Sequence, residues 1–340
     1  MAQATGNIQP SPEVFFEALN AYQRTAALKA AIELDLFTAI GEGARTPEAL
    51  ADKCKAAARG LRILCDYLVI GGFLIKEENQ YGLTHDSSVF LDRRSPAYLG
   101  SAVNFLAAPA LVESFNQLTA SVRQGGTAVS AEGSMEPEHP MWVDFARAMA
   151  PLMAMPAEGI AQLLDADAGE PWKVLDIAAG HGVFGIALAR HNPNAEIYAL
   201  DWASVLSVAE ENARAAGVAD RHHQIPGSAF EVEFGEGYDV VLLTNFLHHF
   251  DPATNEALLR KVHAALKPGG RAVTLEFVPN PDRVTPPNSA AFSLIMLATT
   301  ANGDAYTFAE FDEMFRNAGF ASSEMHALPA SFQQVIVSVK

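Results

Sequence analysis

The segment whose residue types best suit ligand chemistry is a turn of small residues between two short apolar runs. The runs at 174–177 and 197–200 are short enough for buried strands, and Val183–His191 between them predicts a helix. The turn at 178–182 lets a ligand approach the backbone, and Asp201 closes the second strand, where a carboxylate can bind a ribose hydroxyl. The segment therefore predicts a β-turn-α-β unit that binds a nucleotide-like ligand.

Length and composition limit the class of protein around this unit. A chain of 340 residues, 49% hydrophobic and 19% charged, predicts a soluble globular protein with two domains or one domain and a large extension. The formal charge of −17 argues against nucleic acid as the main partner, and no uncharged run is long enough to span a membrane. Cys54 and Cys65 lack metal-ligand spacing, and the segment 1–12 does not resemble a leader. We therefore expect a reduced, cytoplasmic setting and no metal.

The first part of the chain predicts a small helical domain at 11–105. Ser11 and Thr46 each precede a proline and start a helix, and a third helix is expected at 56–70. Two short strands around the polar turn at 76–79 follow that helix. Three helices followed by a hairpin are typical of a winged-helix layout.

Two functions are open for this winged-helix-like domain. A basic group near the third helix, with Lys53, Lys55, Arg59 and Arg62, suggests DNA binding, but residues 1–105 carry 10 basic and 12 acidic side chains. This balance favours a module for packing or dimerisation over one that binds DNA.

A helical connector is predicted at 106–165, with a loop at 124–140. After the loop comes one apolar, methionine-rich helix whose regularity we expect Pro151 and Pro156 to break. Thioether and aromatic side chains of this kind can pack in a core or line a pocket for a flat apolar substrate. The helix contains Trp142, Phe145, Met149, Met153 and Met155.

From residue 166 to residue 340 strand and helix patterns alternate, which predicts an α/β domain with a mostly parallel sheet and helices on both faces. The last two strands are joined too closely to be parallel, so they must be antiparallel. After the first unit, strands are predicted at 223–225, 238–243, 271–277, 322–328 and 333–339, and helices at 205–216, 244–250, 255–266 and 308–318.

A small-residue turn alone does not distinguish a dinucleotide site from a site for S-adenosylmethionine (SAM). Three features favour SAM: the unit follows a helical domain, the sheet ends in an antiparallel pair, and the run at 244–250 precedes a Leu-Lys-Pro-Gly-Gly turn at 266–270. An NAD-linked oxidoreductase stays open as an alternative.

On these residues the sequence resembles the SAM-dependent small-molecule O-methyltransferases, the group of plant phenolic and bacterial polyketide enzymes. The segment 26–37 resembles the dimerisation helix of that family, and 145–149 resembles the helix that lines its cofactor and substrate. The turn at 176–182 is similar to motif I, Asp201 to the ribose-binding acid, and 266–270 to the LxPGG turn. The likeness covers nearly the whole chain.

The resemblance implies a homodimer and a catalytic mechanism. His248 takes the position of the catalytic histidine, and Glu276, 28 residues later at the end of a strand, takes that of the acid that orients it. The implied cofactor is SAM, with S-adenosylhomocysteine as product. The implied acceptor is a small apolar, aromatic hydroxyl compound. The residues expected to bind the cofactor are Asp176, Ala179, Gly180, Gly182, Asp201, Trp202, Ser228, Ala229, Phe230 and Asn245. The residues expected to line the substrate pocket are Phe105, Phe145, Met149, Met153, Phe292 and Met296.

Three positions depart from the family pattern. Ala178 replaces the first glycine of motif I, Ser228 replaces an acid near the adenine, and Ala305 stands where plant members have a second glutamate. The His–Glu–Glu arrangement is therefore incomplete. O-methylation is favoured, while C- or N-methylation and a non-catalytic regulator that senses SAM or binds DNA stay open.

Overall fold

The computed structural model describes residues 10–130, 141–329 and 331–340. Contacts divide the chain into two compact units, the first ending at Val103 and the second beginning at Asn104. Most of the predicted loop at 124–140 lies outside the described residues. The separate connector predicted at 106–165 belongs to the second unit, and the three-part division of the chain stays a prediction.

The described residues of the first unit form four helices before the hairpin, one more than predicted. Asp35 adopts a left-handed conformation with φ of 53°, which separates the first helix from a short second helix. Thr46 caps the next helix as predicted, since its hydroxyl accepts from the backbone N–H of Ala49. The elements are α1 (Glu13–Glu33), α2 (Leu36–Gly41), α3 (Pro47–Cys54), α4 (Ala58–Ile70), β1 (Leu74–Glu77), β2 (Gln80–Leu83) and α5 (His85–Phe90).

Helices precede the sheet in the second unit. They are α6 (Val103–Leu106, which begins at the boundary), α7 (Pro109–Asn116), α8 (Leu118–Gln124) and α9 (Met141–Leu163). The predicted break at Pro151 and Pro156 was wrong, because α9 continues through both prolines. Met149 and Met153 are buried on one face of α9, whereas Met155 is 66% exposed and does not belong to that face.

Within the described residues, the second unit contains a seven-stranded sheet, in which the strands at Lys173–Ile177 and Tyr238–Thr244 are buried at every position but one. The strand order is β5-β4-β3-β6-β7-β9-β8, with β7, β9 and β8 paired antiparallel and the other pairs parallel. This arrangement confirms the predicted α/β fold class and its antiparallel ending. The strands are β3 (Lys173–Ile177), β4 (Glu196–Asp201), β5 (His222–Pro226), β6 (Tyr238–Thr244), β7 (Leu266–Glu276), β8 (Ser322–Ala327) and β9 (Gln334–Val339).

The helices of this unit differ from the prediction at two places. The run at 244–250 forms a single 3₁₀ turn at Leu247–His249 instead of a helix. A helix at Pro287–Thr299 was not predicted, because its residues are apolar on most sides and show no clear period. The helices that follow α9 are α10 (Val183–His191), α11 (Ala203–Ala215), α12 (Pro252–Ala265), α13 (Pro287–Thr299) and α14 (Phe308–Asn317).

None of the helices in the described part of the chain is long and apolar enough to cross a membrane.

Candidate active site

The turn after β3 brings the chain back on itself through left-handed residues. Ala178, Gly180 and Gly182 have φ of 53°, 57° and 72°. A Cβ atom at Gly182 would lie 2.9 Å from the Cβ of Ala209, so a glycine there lets α11 pack closely on the turn. A Cβ atom at Gly180 would meet only the carbonyl oxygen of Ala178, at 3.8 Å. No side chain therefore covers the backbone at Gly180. The turn can therefore hold a ligand against its backbone.

Asp176, at the end of β3, is completely buried and only half satisfied. Its Oδ2 accepts a hydrogen bond of 3.2 Å from the backbone N–H of Gly185, while Oδ1 has no partner within the described residues. Burial, together with the nearby carboxylate of Asp201, raises the pKa of Asp176 to about 7. A buried acceptor without a donor is costly, which favours the protonated carboxyl form of Asp176 in the ligand-free protein.

Asp201, at the end of β4, connects the two strand ends. Its Oδ2 accepts from the backbone N–H of Gly180 at 2.8 Å, and its Oδ1 accepts from the N–H of Trp202 at 2.7 Å. Burial raises the pKa of Asp201 to about 6 despite these two donors. The carboxylate is thereby fixed beside the open backbone of the turn.

The predicted adenine-side residues lie around the ends of β4 and β5. Trp202 packs with Ala146 and Val205 in a small apolar cluster, which is the packing role that the sequence left open. Ser228 accepts from the N–H of Phe230 at 3.2 Å, and the Phe230 ring is 41% exposed. The structure brings Ser228, Ala229 and Phe230 into one loop after β5.

Lys261 holds this loop, and sequence reasoning missed it. Its Nζ donates to the carbonyl oxygens of Ala229 at 2.9 Å and Val232 at 2.8 Å, and it lies 4.2 Å from the centre of the Phe234 ring. Desolvation lowers the pKa of Lys261. A lysine on an amphipathic helix gives no sequence signal for such a role.

The predicted catalytic pair consists of His248, in the turn after β6, and Glu276, the last residue of β7. His248 Nδ1 lies 2.6 Å from Oε2 of Glu276, and the two side chains are 5% and 0% exposed. Glu276 Oε1 accepts from the backbone N–H groups of Phe246 at 3.1 Å and His248 at 3.3 Å. Because an ionised carboxylate only accepts, Nδ1 carries the hydrogen and His248 Nε2 is left as an acceptor. A histidine in this state can remove a proton from a bound hydroxyl.

Residues of α12 and of the segment before α14 keep this turn in place. Asn255 Nδ2 donates to the carbonyl oxygens of Leu247 at 2.9 Å and Phe250 at 3.3 Å, and the hydroxyl of Tyr306 donates to the latter at 2.6 Å. The backbone N–H of Asp304 donates to the carbonyl oxygen of His248 at 3.0 Å. No short-range sequence motif indicates that Asn255 or Tyr306 holds the catalytic turn.

Gly303 is also required beside the catalytic turn. A Cβ atom there would overlap the carbonyl oxygen of His248 and lie 3.0 Å from the carbonyl carbon of His249. Sequence reasoning missed this glycine, because His248 and His249 lie more than 50 residues before it in the chain.

Aromatic rings surround the histidine pair. Phe292 lies 4.8 Å from His248 between ring centres and is stacked on Phe277 at 4.1 Å. Trp142 lies 5.7 Å from His249 between ring centres. Phe145 contacts both Trp142 and Phe105, with ring centres 5.6 and 4.8 Å apart.

The remaining predicted pocket residues are placed less directly. Met153 Sδ accepts a contact of 3.7 Å from Nδ2 of Asn245, which has a left-handed φ of 56°. Gln333, a buried residue that the sequence did not single out, donates to Oδ1 of Asn245. Met149 and Met296 are buried in α9 and α13, the helices that carry Phe145 and Phe292. The structure thus gathers Asn245 and Met153 at one end of the sheet.

Comparison with protein families assigns the chain. A model of the O-methyltransferase domain matches residues 135–321, more than half of the chain, and a model of the O-methyltransferase dimerisation domain matches residues 16–93. The chain belongs to the O-methyltransferase family. This confirms the resemblance in the sequence, and the protein is a SAM-dependent O-methyltransferase.

Individual relatives agree with this assignment. The tetracenomycin polyketide synthesis 8-O-methyl transferase of Streptomyces glaucescens is 29% identical over 309 residues, 88% of either chain. A solved structure from Nostoc punctiforme, itself assigned as an O-methyltransferase, is 60% identical, with a TM-score of 0.95 over 98% of this chain and 100% of that one. Human N-acetylserotonin methyltransferase, solved in complex with SAM, has the same fold at 20% identity, with a TM-score of 0.85 over 99% of both chains.

Within the described ranges, no group of three or more His, Cys, Asp or Glu side chains is placed to hold a metal ion.

Proposed function

We propose that this enzyme transfers the methyl group of SAM to a hydroxyl group of a small apolar, aromatic acceptor, with His248 as the general base and Glu276 as the residue that orients it. The buried hydrogen bond of 2.6 Å between the two side chains carries the proposal. It fixes the His248 tautomer, and Glu276 can balance the charge when the ring accepts a proton.

The residues after β3 and β4 fit SAM. When bound, SAM supplies an electrophilic methyl group on a positively charged sulfur. Asp201 is placed to accept from the ribose hydroxyls, and the open backbone at Gly180 allows close approach. The carboxyl group of Asp176 is fully buried beside this turn, so it acts on a cationic ligand through its charge and not through a contact. Two acidic side chains suit a ligand that carries positive charge.

At the acceptor end the chain removes one proton. His248 Nε2 takes the proton from the acceptor hydroxyl as the oxygen bonds to the methyl carbon, and the carbon–sulfur bond breaks to leave S-adenosylhomocysteine. Glu276 keeps the ring in position, because its second oxygen is held by two backbone donors. The burial of both side chains excludes water from this hydrogen bond.

The rings around His248 support an aromatic acceptor. Phe292 lies beside His248 and is stacked on Phe277, Trp142 lies beside His249, and such groups favour flat apolar molecules. Ala305, which replaces the second glutamate of plant members, is buried and supplies no second carboxylate. The single His–Glu pair is sufficient for a hydroxyl whose proton leaves in one step.

The first unit supports a homodimer. The N-terminal half of α1 exposes a row of large apolar side chains, which a soluble protein normally covers. Phe16, Leu19 and Tyr22 of this row lie in the part of the chain that matches the dimerisation domain. Sedimentation should therefore give a dimer, and a monomer at micromolar concentration would contradict this proposal. The exposed residues are Val14, Phe15, Phe16, Leu19 and Tyr22.

The catalytic proposal is tested by replacing His248 with Asn. We expect kcat to fall about 10²- to 10⁴-fold, because the base is lost, with unchanged affinity for SAM by calorimetry. Glu276→Gln, which keeps the shape but removes the charge, should lose less. Labelled SAM and a panel of phenols, hydroxy-ketones and carbon acids identify the reacting atom. Near-normal turnover by the His248 variant, or label on carbon or nitrogen only, would overturn the proposal.

A further inference from the structure

The loop between β7 and α13 begins directly after Glu276 and is held in one shape by its own hydrogen bonds. The backbone N–H of Asn280 donates to the carbonyl oxygen of Thr285 at 2.7 Å, and the N–H of Arg283 donates to the carbonyl oxygen of Asn280 at 2.9 Å. The carboxylate of Asp282 accepts from the backbone N–H and the hydroxyl of Thr285, at 2.9 and 2.7 Å. Arg283 has a φ of 54°, which is uncommon for a residue with a Cβ atom. The loop therefore fixes the point from which the Arg283 side chain extends.

The side chain of Arg283 reaches the segment before α14. Its Nη1 donates to the carbonyl oxygen of Ala305 and to Oδ2 of Asp304, at 3.2 Å in each case. Its Nη2 donates to Oε1 of Glu310. The other oxygen of Glu310 accepts from the backbone N–H and the hydroxyl of Thr307, each at 2.8 Å, and so holds the start of α14. Because a guanidinium group is planar and its donors are rigidly placed, the three acceptors are held in one arrangement.

This segment also contacts the catalytic turn. The backbone N–H of Asp304 donates to the carbonyl oxygen of His248 at 3.0 Å. The hydroxyl of Tyr306 donates to the carbonyl oxygen of Phe250 at 2.6 Å. The backbone of the turn is therefore held from the segment before α14, while the ring of His248 is held by Glu276 at the end of β7.

Two supports thus determine where the proposed base lies, and Arg283 connects them. Glu276 ends β7, and the loop that follows it carries Arg283. We propose that Arg283 is a positioning residue for methyl transfer, because it sets the backbone of His248 relative to the carboxylate of Glu276. This inference rests on the proposed role of His248 as the base.

The exposure of the ion pairs separates this role from a contribution to stability. The side chains of Arg283, Asp304 and Glu310 are 42%, 39% and 38% exposed. Ion pairs this accessible to water contribute little to the stability of a folded protein. In contrast, a displacement of about 1 Å at a catalytic group can lower the rate about 10²-fold. Removal of the guanidinium should therefore affect catalysis more than folding.

Two variants of Arg283 and one control test the proposal. Arg283→Met keeps the aliphatic part of the side chain but has no donors, and Arg283→Lys keeps the charge but cannot bridge three acceptors. Arg316→Met removes another exposed arginine, which pairs with Asp312 at 3.0 Å within α14. Labelled SAM and the phenol with the highest turnover give kcat and KM. Calorimetry gives the affinity for SAM, and thermal unfolding reports the stability.

Proton NMR of the ligand-free enzyme reports on the base directly. The proton between Nδ1 of His248 and Oε2 of Glu276 lies in a buried, charge-assisted hydrogen bond of 2.6 Å. Such a proton gives a resonance far downfield of the amide protons, and its absence in His248→Asn assigns it.

We expect kcat of Arg283→Met to fall about tenfold, with unchanged affinity for SAM and an unchanged unfolding temperature. The downfield resonance of this variant should shift or broaden, because the distance between His248 and Glu276 is no longer fixed. Arg283→Lys should lie between Arg283→Met and the wild type. Arg316→Met should match the wild type in every measurement.

The inference is overturned if Arg283→Met keeps a normal kcat or an unchanged downfield resonance. A parallel loss of kcat, SAM affinity and unfolding temperature would assign Arg283 a general structural role and also count against it, as would a larger loss in Arg283→Lys than in Arg283→Met. The proposed function fails separately: its failure is the absence of label from every hydroxyl acceptor, and the resonance still tests the position of His248 in that case.

Discussion

The turn after β3 and the turn after β6 lie at the carboxyl ends of adjacent strands, but different interactions hold them. The first is shaped by its own backbone and by Asp201, which accepts from Gly180, 21 residues earlier in the chain. The second depends on Glu276 and on residues of later segments, of which Tyr306 lies 56 residues beyond its partner Phe250. One turn is thus local in sequence, and the other is assembled by the fold.

This difference explains how the family can bind one methyl donor and many methyl acceptors. The turn of the proposed cofactor end is contained in a contiguous β-turn-α-β unit, whereas its adenine side also depends on the loop after β5 that Lys261 holds. The proposed acceptor end combines β6, β7, α13 and the segment before α14, and a change in any of them can alter the pocket without changing the cofactor end. The two ends should therefore respond separately to substitution.

The largest separate effect is expected at the cofactor end, from Asp201→Asn. An amide offers one accepting oxygen to two backbone donors and removes the negative charge, so SAM affinity should fall about 10- to 100-fold. The value of kcat at saturating SAM should change little. Calorimetry and steady-state kinetics measure the two quantities, and Asp220→Asn at an exposed position is the control. A loss in kcat alone would contradict the separation.

The carboxylates of Asp176 and Asp201 should make SAM binding depend on pH. Asp176 and Asp201 have pKa values raised to about 7 and about 6, so what they contribute to the stability of the ligand-free protein is present at low pH and lost as the pH rises through these values. A cationic ligand favours their ionised forms, so SAM affinity should rise over the same window. In Asp201→Asn the increase should be smaller and follow Asp176 alone.

A smaller effect is expected at the acceptor end from Gly303→Ala. The added methyl group would overlap the carbonyl oxygen of His248 and displace the catalytic turn, so kcat should fall about tenfold with unchanged SAM affinity. Gly60→Ala, at a helix position with open space around its Cβ atom, is the matched control and should leave kcat unchanged. If Gly303→Ala weakens SAM binding as much as it lowers kcat, the two ends are coupled.

The same contrast decides what could be predicted from the sequence. The strands and helix of the cofactor end were predicted within one or two residues, because small turn residues and apolar runs determine them locally. The run at 244–250 was predicted as a helix and is a 3₁₀ turn, because Glu276 binds the backbone N–H groups of Phe246 and His248. Such tertiary contacts leave no local pattern.

Side chains of the acceptor end were found only where a family pattern marked them. His248 and Glu276 were identified by resemblance, and the structure brings their side chains together. Gln333 and Gly303 were missed, since one lies between the last two strands and the other before α14, and nothing in either segment indicates a neighbour in the catalytic turn.

The smallest effect concerns Ala178, where the cofactor turn itself departs from the family. The structure places Ala178 at φ of 53°, a conformation that costs a residue with a Cβ atom about 1 kcal/mol relative to glycine. Ala178→Gly relieves this strain but also increases the conformational entropy of the unfolded chain, which offsets part of the gain. We expect the free energy of unfolding to rise by about 0.5 to 1 kcal/mol, measured by denaturant titration, with kcat unchanged. A decrease in stability would show that the strain is compensated within the turn, and a change in kcat would show that the cofactor end controls the acceptor end after all.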